Sequence, residues 1–178
     1  MKRYLKNSVA RFRREDSGSV TVEFVILMSV FVTILGAAVE LGYMNIRHAM
    51  LERGLDTTAR NVRLNTGEVP TYDQLKTSIC DTAAIIPNCV NNLRLEMKVV
   101  DTRAFNPIPS TADCQNAEEE PKPLREFTNG LDNDLMLMRA CLMFKPIFPT
   151  TGIASQLNKD AEGYLAMVST SAFVQEPR

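Results

Sequence analysis

Sixteen consecutive residues without a charge, Phe24 to Val39 (FVILMSVFVTILGAAV), constrain this chain more than anything else in it. As a helix the run would cover ~24 Å at ~1.5 Å per residue, against a hydrocarbon core of ~30 Å. Val20–Val22 and Leu41–Met44 lengthen it, which admits Glu23 at one end and Glu40 at the other. Three structures accommodate such a segment: the core helix of a soluble protein, a cleavable secretory signal, and a retained transmembrane helix. All-round apolarity and a basic flank argue against the core helix. Gly36 and Ala38 have the form of a signal cleavage site, but the helical pattern runs past them without a break. The retained helix, residues 19–44, is the reading carried forward, with Glu40 at its outer interface.

Charge then sets the orientation. Residues 1–18 hold six cations against Glu15 and Asp16, a balance of +4, while the other 160 residues sum to −5, giving the overall −1. A basic arm ahead of a first apolar helix stays in the cytoplasm, which makes topology a better account of it than nucleic-acid binding. The expected layout is a basic cytoplasmic leader (1–18), one membrane pass, and an extracytoplasmic domain (45–178). The membrane is then the inner, cytoplasmic one and the domain is periplasmic or extracellular.

All four cysteines, Cys80, Cys89, Cys114 and Cys141, follow the helix. That placement agrees with export to an oxidising compartment. Pairing Cys80 with Cys89 and Cys114 with Cys141 closes the shortest loops. Free buried cysteines are the alternative. Zinc is disfavoured, because there is no CxxC spacing and one histidine in the chain. No metal and no cofactor are expected.

The helical pattern continues beyond the membrane surface. Leu41, Met44, His48, Leu51, Leu55, Ala59 and Val62 recur every three or four residues. One helix from about Val20 to Leu64 is therefore expected, stopped by Asn65–Pro70. Thr71–Gln74 has the form of a capping box opening a second helix, Tyr72–Ile86, which Pro87 ends.

The period then changes. In Leu93–Asp101, Leu93, Leu95, Met97 and Val99 share one face, and Arg94, Glu96 and Lys98 the other, as in a half-buried strand. Asp134–Lys145 and Tyr164–Val174 are further apolar runs that suit strands. The segment 105–134, with four prolines and Glu118–Glu120, reads as a flexible surface loop. If Cys114 joins Cys141, it pins this loop to the central strand. Thr151–Lys159 suits a short helix. The fold class is α+β: a long N-terminal helix, transmembrane then amphipathic, a second helix, and a small antiparallel sheet of about three strands.

An acid at the edge of a membrane helix is a functional-site hypothesis. Snorkelling to the cytoplasmic interface is the plain account of Glu23. Its setting, RREDSG-SVTVEFVILMSV, suggests more. A basic leader ends at Gly18, Ser19 follows, and the fifth residue after the glycine is Glu23, with Phe24 and the apolar run behind it. This resembles the processing site of type IV prepilins, in which a membrane peptidase cleaves after the glycine. Glycine suits an extended backbone in a narrow protease cleft. Cleavage would free the Ser19 amine, and Glu23 would pair with it or with the amine of a neighbouring helix.

The rest of the chain narrows the resemblance to the TadE-like proteins of the tight-adherence pilus system. It rests on the Val22-Glu23-Phe24 helix start, the strand around Arg139-Ala140-Cys141, and the C-terminal strand with its tail, Ser169–Arg178 (STSAFVQEPR). The loop 105–134 contributes nothing to it. The strand here runs Cys-Leu-Met-Phe, where relatives often place an aromatic directly after the cysteine. The resemblance implies a pilin-like architecture and a minor pilin (pseudopilin) or assembly factor. Its partners would be a prepilin peptidase and, through the N-terminal helix, other pilus subunits. Ser29, Thr33, Gly36 and Ala37 would allow close helix approach, though they also suit ordinary membrane-helix composition. An anchored sensor, adhesive or enzyme domain is the alternative. No hydrolase, metalloprotease or phosphate-loop motif supports an enzyme.

Overall fold

A computed structural model describes residues 19–64, 69–101, 103–104, 109–120, 122–123, 126–150 and 152–177. The leader 1–18, including Gly18, and the helix stop at 65–68 lie outside the described residues. The structure divides into two units, Met1–Val39 and Glu40–Arg178. Helix α1 is continuous from Ser19 to Leu64, as its uninterrupted periodicity predicts.

In the first unit the described part is helix alone. Phe24, Val25, Ile26, Leu27, Val30, Phe31, Ile34 and Leu35 are all more than half exposed. No part of the most apolar stretch of α1 is buried.

In the second unit two layers pack on an antiparallel sheet. Helix α2 spans Tyr72–Thr82, and the one-turn helix α3 spans Cys89–Asn92. The strands are β1 (Leu93–Val99), β2 (Leu135–Phe144) and β3 (Leu165–Val174), in the order β1-β2-β3. The core joins Leu51, Leu55, Ala59 and Val62 of α1 to Leu75 and Ile79 of α2. Leu93, Leu95 and Met97 of β1, Met136, Met138 and Leu142 of β2, and Phe173 of β3 complete it. Gly54 is required here, because a β-carbon would lie 2.7 Å from the Ile79 carbonyl oxygen.

The Thr71 capping box forms as expected: the Gln74 N–H donates to the Thr71 hydroxyl, and the Thr71 N–H donates to the Gln74 side-chain oxygen at 2.8 Å. Helix α2 stops at Thr82, short of the expected Ile86. Turns carry the chain through Pro87 to Asn88, which has a positive φ of 52°. This reversal brings Cys89 back to Cys80, with Cα atoms 5.6 Å apart. The second disulfide joins Cys114 to Cys141, so the local pairing holds.

The polar face of β1 departs from expectation. Arg94 and Glu96 are buried rather than solvated. The sheet register sets Glu96 opposite Arg139 and Arg94 opposite Cys141, and the described parts of the loop lie over that face. Arg139 Nε donates to Glu96 at 2.6 Å, and its Nη1 donates to the Pro109 carbonyl at 2.8 Å. Arg94 donates to Asp113 at 3.0 Å and to Gln115 and the Lys122 carbonyl. Further on, Phe127 makes a parallel bridge to Met97 and its ring meets Tyr72 edge-on at 5.4 Å. The predicted short helix after Thr151 is a 3-10 turn, Ile153–Gln156.

Candidate assembly site on the N-terminal helix

Ser19, the residue that the prepilin resemblance places first after cleavage, is the first described residue and is helical. Glu23 is one turn further on and exposed, so its carboxylate lies on the same helix face as the Ser19 backbone nitrogen. Among the described residues Glu23 has no ion-pair partner. Phe24 follows it, exposed on the same unit.

The hydroxyls of this segment are internally satisfied. Ser29 donates to the Ile26 carbonyl and Thr33 to the Ser29 carbonyl, both at 2.8 Å. That is how hydroxyls are tolerated in lipid. A β-carbon at Gly36 would meet nothing within 4 Å. Along this helix Ser29 and Thr33 are thus bonded to their own backbone, and Gly36 is an open position.

The second unit holds an acid whose partners the sequence did not show. Glu40, expected at the outer end of the membrane helix, is 1% exposed. Its carboxylate accepts the Phe148 N–H at 3.0 Å and the Ala154 N–H at 3.4 Å. The 3-10 turn has Gly152 at its N-cap, with no side-chain cap of its own. Glu40 supplies the missing cap from another element, where negative charge is favoured. Gly152 has φ +68°, and a β-carbon there would approach Glu40 Oε2 to 3.2 Å. The glycine at that spacing from a strand end was the available sequence signal; its partner, over a hundred positions earlier, was not legible.

Arg47 is also buried, between the Tyr43 ring at 4.1 Å and the Phe144 ring at 5.3 Å. Its Nη1 donates to the Lys145 carbonyl at 3.4 Å. His48 contacts the Val168 carbonyl at 3.3 Å and lies 3.8 Å from Glu52, in a packing position.

The acidic triplet is partly engaged. Glu118 pairs with Lys145 at 2.9 Å and accepts from the Tyr164 hydroxyl at 3.0 Å. These bonds, the lysine's foremost, hold the Glu118 carboxyl below its usual range and raise the Lys145 amine. Glu119, Asp160 and Glu162 come together with ligand atoms within 4.8 Å of one another. Lys122 pairs with Glu119 at 2.6 Å, and the buried Asn116 amide donates to Asp160 at 2.9 Å. Burial raises Tyr72 and lowers Lys76, whose amine lies over the Tyr72 ring.

No curated protein and no solved structure matches the chain. The model of the family described as TadE-like protein matches residues 18–60, from the glycine before the helix through Arg60. Among the described residues one helix, Val20–Leu64, is long and apolar enough to cross a membrane, which supports a single-pass membrane protein whose N-terminal segment is similar to the TadE-like family.

Proposed function

We propose that this protein is a minor pilin (pseudopilin) or membrane-anchored assembly factor of a tight-adherence type IV pilus. In this reading a prepilin peptidase removes the leader after Gly18, in the inner membrane and from the cytoplasmic side. The exported domain is periplasmic or extracellular, has a pilin-like architecture, and has no catalytic role. The observation that carries the reading is a coincidence of positions. The TadE-like match starts at Gly18, and five residues later Glu23 with Phe24 opens the apolar run.

The physical logic is that of helix assembly. An apolar helix with no buried face in the monomer packs against lipid or other helices, and van der Waals fit decides which. A free Ser19 ammonium and the Glu23 carboxylate are each costly in a low-dielectric setting, and pairing them offsets part of that cost. If the amine belongs to a neighbouring subunit, the pair fixes axial register.

Co-expression with a prepilin peptidase, followed by mass spectrometry of the mature N-terminus, tests this. Ser19 as first residue is expected; an intact Met1, or a start after Ala38, refutes the processing claim. Glu23→Ala is expected to be cleaved normally yet fail in piliation. Normal piliation would return Glu23 to a snorkelling role.

A further inference from the structure

We infer that the described part of the 146–157 connection, between β2 and β3, is a second membrane contact, seated in the outer interfacial zone of the bilayer at the level of Glu40. The inference rests on the membrane-spanning reading of residues 19–44. Its occupant is lipid.

Depth comes first. Glu40 follows Val39 directly, so it marks the outer end of the charge-free run. The Phe148 and Ala154 amides both bond its carboxylate. Those bonds hold the segment at the level where the apolar run ends. That run is ~24 Å long as a helix, short of a ~30 Å hydrocarbon core. The mismatch draws the outer end of the helix, and whatever is tied to it, toward the hydrocarbon.

The exposed chemistry fits that depth. Ile147, Phe148 and Leu157 are 44%, 40% and 42% exposed, and Leu41 on the helix is 48% exposed. Apolar surface is thus offered both by the helix just past Glu40 and by the segment bonded to Glu40. Lys159 donates to the Pro149 carbonyl, which places an amine beside the apolar tip, as at membrane interfaces.

Part of the backbone suits a poorly hydrated site. Non-helical chain near lipid must satisfy its polar groups internally. Pro146 and Pro149 have no N–H to satisfy. The Phe148 N–H is taken by Glu40, and the Pro149 carbonyl by Lys159. Glu40 itself is buried and bonded to amide donors, which offsets part of the cost of holding its carboxylate near the bilayer.

The chain contains no tryptophan, so one introduced indole reports only its own site. The full-length protein carrying Phe148→Trp is reconstituted alone into phosphatidylethanolamine–phosphatidylglycerol vesicles, with and without brominated acyl chains. Phe31→Trp in the apolar run is the membrane control. Leu131→Trp, exposed and beyond the opposite end of β2, is the aqueous control. Leu157→Trp serves as a second reporter, and each variant is required to retain both disulfides. The Phe148→Trp and Leu157→Trp proteins are expected to lose the larger part of their emission to bromine and to emit further to the blue than the aqueous control. If the membrane control is quenched while both reporters behave like the aqueous control, the segment is not a lipid contact and the spanning helix stands. If the membrane control is not quenched either, the membrane reading falls and this inference with it. Shielding of the Phe148→Trp indole that appears only when other pilus subunits are added would assign the surface to a protein partner and overturn the proposal.

Discussion

Replacing Glu40 with alanine should be among the most damaging single changes in the second unit. The substitution removes a buried acceptor that serves the Phe148 N–H at 3.0 Å and the Ala154 N–H at 3.4 Å. Hydrogen bonds to a charged group contribute ~1.5–3 kcal/mol each, and a buried donor left without a partner costs ~1–3 kcal/mol. The longer bond counts for less, and alanine also relieves the burial of a carboxylate, so we expect a loss of about 3 kcal/mol. For a chain of this size that lowers Tm by roughly 6–12 °C. Glu40→Gln keeps the shape but turns one amide N–H₂ against a donor, so its loss should be intermediate. Gly152→Ala adds a backbone penalty of ~1–3 kcal/mol, because φ 68° with ψ −152° is a region essentially reserved for glycine, plus the 3.2 Å contact with Glu40 Oε2. The contact disappears in the Glu40→Ala background while the backbone penalty remains, so the double variant should lose less than the sum. The assay is thermal unfolding of the full-length protein in detergent, with hydrogen exchange of the Phe148 and Ala154 amides as the local readout. A Tm within about 2 °C of the unaltered protein, or unchanged exchange at those two amides, would refute the reasoning.

The loop over the sheet supplies further tests. Arg139→Met should cost ~3–5 kcal/mol because it takes the guanidinium from the buried Glu96 carboxylate, whereas the double change Glu96→Leu with Arg139→Met should recover much of that loss in urea unfolding. Replacing both Cys114 and Cys141 with serine should cost about 3.5 kcal/mol and the Cys80–Cys89 equivalent about 2.6 kcal/mol by loop-closure entropy, given separations of 27 and 9; the reverse order in denaturant titrations would contradict that account. Glu118 has its carboxyl held down in the folded state, chiefly by Lys145, so its contribution is present above the ordinary value of 4.5 and lost as pH falls through the lower folded value. Lys145→Met should flatten that part of the acid-unfolding curve, and an unchanged curve would count against the pair.

Much of the architecture follows from local pattern. A charge-free run followed by a three-and-four stripe can only be a long helix, and α1 is continuous through both parts. Thr71 and Gln74 cap α2 because their own spacing dictates it. The cysteine pairing was legible because short loops close at least entropic cost. The outer face of the sheet was not legible. Alternation in β1 says only that Arg94 and Glu96 oppose the core; whether water or chain covers them depends on a loop that begins after the strand ends. Arg139 in an apolar strand was a visible anomaly, but its partner depends on the register that places Glu96 opposite it.

The two acids bracketing the apolar run show the division most clearly. For Glu23 the sequence alone supplies the reading: an acid five residues after a glycine and a basic arm, at the start of the apolar run, whose proposed role rests on near neighbours along the chain. It could not determine what Glu40 is. That residue has the same chemistry at the other boundary, and only the tertiary structure brings two backbone amides from residues 148 and 154 onto its carboxylate. Local interactions fix helices and caps because their partners lie within a few residues. A buried charge is fixed by partners whose distance in sequence carries no signal of their closeness in space.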